Sequence, residues 1–244
     1  MGPLGWRRLW NGHLWLGIGL LLPLVWWMGT AVAFAIWPLD QVRGRTLSSG
    51  QKAVSVPLKA GMIPPPDLVE GARTVSIRTV EGHPISVIHR EEGLIVWDLE
   101  RRHSLGPAIP MNWALAAAKR DFKGDFLPRT IVFYGQDGRG VTLEGDRGKA
   151  WAPPTEYPGQ FPAYAFHLDQ GSSMHLYVDG LTGEVKARRS GVWRFYDWCF
   201  RLHSLDITGD GTKRGVILAA SGLWFALGIT GSAMAWRKLR RRTG

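Results

Sequence analysis

Hydrophobic positions fall into two regimes along this chain. Near each end they form a long uncharged run, residues 13–39 (HLWLGIGLLLPLVWWMGTAVAFAIWPL) and 215–236 (GVILAASGLWFALGITGSAMAW). Each exceeds the ~20 apolar residues with which a helix crosses a bilayer core. Between them the apolar runs are short and broken. Partial alternation at 74–80 (TVSIRTV), a break at 81–84, a run at 85–89, a turn at 90–93 and a run at 94–97 predict a meander of half-buried strands. In 111–122, Met111, Ala114, Leu115, Ala118 and Phe122 follow the three-to-four spacing of a short amphipathic helix. Strands are predicted again at 130–134 and 140–143, and Pro153, Pro154, Pro158 and Pro162 interrupt the next stretch. Residues 192–205 predict a further helix, with Arg194, Asp197 and Arg201 on one face, lying in the membrane interface.

A weak internal repeat runs through the middle. Residues 83–89 (HPISVIH) resemble 161–167 (FPAYAFH), and each is followed by a polar turn and a short strand ending in aspartate, Asp98 or Asp179. The second copy closes with 179–183 (DGLTG), a favourable turn sequence. The expected organisation is a tail over 1–12, a span over 13–39, a linker over 40–62, an α+β domain of antiparallel strands and short helices over 63–191, an interfacial helix over 192–206, a span over 215–236 and a basic tail over 237–244.

Charge orients this arrangement. The formal net charge of +10 suggests nucleic acid, but all 20 acids lie in the middle segment from Asp40 to Arg214, where 23 Lys/Arg nearly balance them. The excess sits beside the spans, at Arg7, Arg8, Arg237, Lys238, Arg240, Arg241 and Arg242. That placement follows the positive-inside rule, so both termini are expected in the cytoplasm and the middle on the far side, the periplasm of a bacterial inner membrane. No nucleic-acid partner is expected. Several of the 13 tryptophans, among them Trp6, Trp10, Trp15, Trp37, Trp193, Trp198 and Trp236, fall near the predicted interfaces. The single cysteine, Cys199, excludes an internal disulfide and a cysteine-based zinc site. A rival reading makes the first run a signal peptide, with Arg7 and Arg8 as its basic start and 31–33 or 33–35 as its cleavage motif. Its length favours a retained span.

Two segments carry a family likeness. Residues 177–185 (YVDGLTGEV) resemble the hairpin of PepSY domains. Residues 198–203 (WCFRLH), followed by a span containing 229–231 (ITG), resemble PepSY-associated transmembrane proteins of the bacterial inner membrane. The likeness is fullest over 160–236, looser over the first span and 70–122, and absent over 123–159. It implies a PepSY-like periplasmic domain and a link to iron acquisition. Larger members resemble haem-containing siderophore reductases but have about four spans against two here.

Candidate chemistry is sparse. His13 and His203 are the histidines near the membrane, and their functional reading is axial ligation of haem b. The plainer reading is two interfacial histidines satisfied by headgroups or backbone. They are expected at opposite faces, ~30 Å apart, too far for one haem within a monomer. His89, His103, His167 and His175 show no metal-binding spacing, although adjacent strands bring distant residues together. No nucleophile elbow, phosphate loop or dinucleotide fingerprint occurs. Asp197, His203 and Ser204 on one short helix diverge too much for a triad. Small residues four apart, Gly222, Ala226 and Thr230, Gly228 and Ser232, and Gly29 and Ala33, suit close helix packing, within the chain, in a homo-oligomer or against a membrane-protein partner. The favoured function is a non-catalytic accessory module assisting iron uptake or a respiratory assembly. The alternative is an electron-transfer component that holds haem between subunits and reduces ferric siderophores.

Overall fold

The computed structural model describes residues 3–50, 56, 57, 59, 61–145, 149–168, 173–204 and 210–240, without the side chains of 3, 4 and 210–214. The fold is mixed α+β. Two long apolar helices stand at the chain ends, with antiparallel sheets between them in sequence. The chain divides into two units: Met1–Pro38 with Phe195–Gly244, and Leu39–Arg194.

In the helical unit, α1 (Pro3–Ile36) and α6 (Asp210–Arg240) are antiparallel neighbours. The Arg237 guanidinium lies 4.0 Å from the Trp6 ring centre, Thr230 meets His13, and Leu227 lies against Gly17. Both helices are long and apolar enough to cross a membrane, over Gly5–Ile36 and Gly215–Arg240. They expose large apolar side chains along their length, Trp15, Leu22, Leu218 and Phe225 each above 70 %. α1 starts at Pro3, ten residues before the apolar run: proline suits a first helical turn, and Arg7 and Arg8 are good helix formers. At 1.5 Å per residue α1 is about 51 Å long, well beyond a ~30 Å hydrocarbon core. The helix α5 (Gly191–His203) enters this unit at Phe195, and its Phe195, Tyr196, Trp198, Phe200 and His203 meet Trp37, Phe34, Trp26 and Trp27 of the first helical segment.

The sheet unit begins with a segment expected to be a linker, of which residues 51–55, 58 and 60 lie outside the described residues. Residues 39–50 do not behave as one. A one-turn helix α2 (Leu39–Val42) and a 3-10 turn (Arg45–Leu47) lead into a bridge between Ser48 and Phe122. Asp121 then accepts from the Ser48 hydroxyl (2.8 Å) and pairs with Arg188. These anchors are long-range side-chain contacts and leave no periodic trace in the sequence. The last two residues of the expected interfacial helix, and Arg241 and Arg242, also lie outside the described residues.

Two copies of one supersecondary unit come next. The first has a one-turn helix α3 (Pro66–Val69) and a sheet ordered β1 (Thr74–Val80), β2 (His83–His89), β3 (Leu94–Asp98), β4 (His103–Gly106). The second has α4 (Met111–Asp121) and a sheet ordered β10 (Val185–Arg189), β9 (Met174–Asp179), β8 (Ala163–Leu168), β5 (Pro128–Tyr134), β6 (Gly140–Glu144), β7 (Ala150–Trp151). Reading β5, β8, β9, β10 against β1, β2, β3, β4 reproduces order and direction.

Details match as well. Pro84 accepts from the Leu99 amide at 3.0 Å and Pro162 from Gly180 at 2.9 Å. Asp98 Oδ1 accepts from the amides of Glu100 and Arg101, and Asp179 Oδ1 from those of Leu181 and Thr182. The repeat seen in the sequence is therefore a repeat of structure. Residues 123–159, which resembled nothing, acquire a place: the two-residue turn Glu81-Gly82 of the first copy becomes in the second an insertion over 135–160, carrying β6, β7 and a proline-rich segment. The main core joins Val80, Ile85, Val87 and Val96 of the first sheet to Trp113, Ala114, Ala117 and Ala118 of α4 and to Tyr164, Phe166, Leu176 and Val178 of the second.

Candidate functional site

The two membrane-side histidines come first. His13 Nδ1 lies 2.8 Å from Thr230 Oγ1, and that hydroxyl donates to the Ala226 carbonyl at 2.8 Å. When the hydroxyl gives its one proton to that carbonyl, the imidazole is the donor and His13 carries its proton on Nδ1. His203 repeats the arrangement. Its Nδ1 lies 3.0 Å from Thr30 Oγ1, which donates to the Trp27 carbonyl at 2.8 Å. The His203 ring also stacks on Trp27, centres 4.7 Å apart, and meets Phe34 edge-on at 5.1 Å. A Cβ on Gly231 would come within 3.2 Å of His13 Cε1, so glycine there lets α6 approach this ring.

His203 is held at the level of Thr30, 17 positions along α1 from His13, or about 25 Å of helix rise. The pair does not fit one bis-histidine haem within a chain. Asp197, His203 and Ser204 do not converge: Asp197 faces Arg201 (3.8 Å) and the Ser204 hydroxyl bonds Phe200. Gly29, Gly222 and Gly228 would meet nothing within 4 Å on gaining a Cβ, so their faces are open.

A second cluster, in the sheet unit, was not found from the sequence. The face of the second sheet opposite α4 carries Val132, Tyr134, Ala165, Tyr177 and Ala187, covered by Trp151, Tyr157 and Phe161 from the insertion. At one end of that face, strand pairing sets Thr130, His167, His175 and Arg189 in one row across β5, β8, β9 and β10. The His167 and His175 rings stack 4.0 Å apart. Glu156, from the insertion, reaches over them. Its carboxylate takes the Nε of Arg194 at 2.5 Å on Oε1 and Nη2 at 3.1 Å on Oε2. His175 Nδ1 lies 3.2 Å from Oε2, and the Tyr177 hydroxyl donates to it at 3.3 Å. Arg194 sits in the first turn of α5, and its Nη1 donates to the Ser173 carbonyl.

Electrostatics follow from this geometry. Burial alone would raise the Glu156 carboxyl, but hydrogen bonds and charge from His175 and Arg194 outweigh it and hold the group down to about 2. Burial, reinforced by His175, pushes His167 down to about 4. Burial lifts Tyr134 to about 12 and carries Tyr177 higher still, so both stay protonated. The equivalent positions in the first copy are His89, exposed, and Leu94, so the stacked histidine pair belongs to the second copy alone.

Among the described residues no group of three or more His, Cys, Asp or Glu is placed to hold a metal ion. The cluster offers a carboxylate, a guanidinium and two imidazoles, which suits proton exchange and structural anchoring. Comparison of the chain with protein-family models, with curated proteins and with solved structures gives no match.

Proposed function

We propose that this protein is a membrane-anchored accessory module of PepSY type, with its sheet unit in the periplasm of a bacterial inner membrane. The observation that carries the proposal is a duplicated strand unit flanked in sequence by two apolar, outward-exposed helices, which are antiparallel neighbours. The basic residues support the orientation. Trp6 meets Arg237, so Arg7, Arg8, Arg237, Lys238 and Arg240 gather at one end of the helix pair, the end that the positive-inside rule keeps in the cytoplasm. The duplicated unit is a binding scaffold for a partner in iron uptake or a respiratory assembly. The open glycine positions of α6 offer a face for a second membrane protein or a second copy.

One observation favours the haem-based alternative. Both histidines are held by a threonine hydroxyl through Nδ1, and a hydrogen bond at one ring nitrogen is the orienting contact that metal-binding imidazoles use while the other nitrogen binds. Haem would then be shared between chains, each supplying one imidazole, and would carry one electron at a time. The absorption spectrum of the purified full-length protein separates the readings. The accessory reading expects no Soret band, and His203→Gln should leave folding and yield unchanged because the amide can also donate to Thr30. A Soret band that shifts on reduction and disappears in the still-folded His203→Gln protein would make the electron-transfer reading the correct one.

A further inference from the structure

His175 Nδ1 has two neighbours that make opposite demands on it. Arg194 Nη2, always a donor, lies at 2.8 Å and needs a lone pair there. Glu156 Oε2, an acceptor, lies at 3.2 Å and needs a proton there. One nitrogen cannot satisfy both. In a neutral ring with its proton on Nε2, Nδ1 accepts from Arg194 and has nothing to give Glu156. A second proton reverses this. Nδ1–H then points at Glu156, and Arg194 faces a like charge where it had an acceptor.

We propose that Glu156, His175 and Arg194 form a proton-operated latch, in which protonation of His175 moves its Nδ1 from Arg194 to Glu156 and weakens the hold of the second sheet on the first turn of α5.

The surroundings make His175 the ring that responds. His167 stacks on it from β8 at 4.0 Å, and two imidazolium rings at that distance repel, so the pair takes one proton before the other. His175 has the carboxylate within reach and His167 does not. His167 also has Trp151 edge-on at 5.0 Å, while Lys149 opposes its charging. The remaining groups are fixed in charge through the relevant range. Tyr177 on β9 and Tyr134 on β5 stay neutral, and Arg189, the cross-strand neighbour on β10, donates to the Glu156 carbonyl at 2.8 Å.

On the other side of the latch, Arg194 is held by Glu156 and Ser173, and the guanidinium of Arg189 lies 4.2 Å from the Trp193 ring centre. With His175 charged, the Glu156 carboxylate is divided between two cations. α5 carries the chain out of the sheet unit, so loosening its first turn is the step that acid would control. The periplasmic placement proposed above would expose the latch to external acid, but the latch itself stands on the geometry alone.

Hydrogen exchange of the full-length protein in lipid nanodiscs tests this, with rates corrected for the intrinsic pH dependence. Amides of the 191–197 segment should lose about five- to tenfold in protection between pH 7.5 and 5.5. His175→Gln, whose side-chain oxygen can still accept from Arg194, should show no such change, and His167→Gln should keep it. Should His175→Gln fold poorly, Glu156→Gln serves instead: without the carboxylate, the loss of protection should move to lower pH. Unchanged protection in the wild type, the same loss in His175→Gln, or an unmoved midpoint in Glu156→Gln would overturn the proposal.

Discussion

Replacing Gly183 with valine should destabilise the sheet unit by about 2–6 kcal/mol, from two costs that add. The residue has φ +68 in the turn joining β9 and β10, a conformation that a β-branched residue enters at a cost of roughly 1–3 kcal/mol. A Cβ there would also lie 2.7 Å from Val80 Cγ1, a buried atom of the first sheet, and overpacking a filled core adds roughly 1–3 kcal/mol. The turn is otherwise well bonded, with the Gly183 amide on the Asp179 carbonyl at 3.0 Å. It therefore locks the second copy against the first. Val80→Ala should recover part of the loss in the double variant, which a purely local turn defect would not show. Denaturant unfolding of the detergent-solubilised protein measures this. Unchanged stability in Gly183→Val would show that the turn does not bear on Val80.

Removing the Glu156 carboxylate should have the next largest effect. Glu156→Ala takes from Arg194 its carboxylate partner and from the Tyr177 hydroxyl its acceptor, both partly shielded from water. Breaking such a pair at a half-buried site costs roughly 2–3 kcal/mol, below the full penalty because solvent screens part of it. The pH dependence has a definite sign. A carboxyl held at about 2 in the fold, against an ordinary value near 4.5, contributes stability that is complete above about pH 4.5. That contribution disappears as pH falls towards 2. The gap between wild type and Glu156→Ala should therefore be widest at pH 7 and close in acid. A gap independent of pH would mean that the loss is one of packing rather than of charge.

The sequence and the structure agree where a pattern is local. Both long apolar helices, the strand at Thr74–Val80 and the helix from Met111 could be read from hydrophobic spacing, because one face or the whole circumference repeats its polarity within a few residues. The repeat was legible because Pro84 and Pro162, and Asp98 and Asp179, recur with the same bonded roles. Short elements were not: β4 and β7 have four and two residues, too few to show alternation. The docking of residues 39–50 rests on Asp121, Arg188 and Ser48, which are far apart in sequence.

The same reason hid the candidate site. Glu156 lies in a proline-rich stretch and Arg194 on a helix 38 residues later. His167 and His175 become neighbours only once the register of the β8–β9 hairpin is known. That register could have been inferred by laying the second copy on the first, where His89 pairs with Leu94.

A periplasmic role for the sheet unit requires one particular topology of the chain in the membrane. A reporter that is active only in the periplasm, fused after Gly244, should be silent, and the same reporter inserted between the exposed Gln136 and Asp137 of the sheet unit should be active. Activity of the fusion after Gly244, or silence of the insertion at Asp137, would contradict a periplasmic module held between two spans.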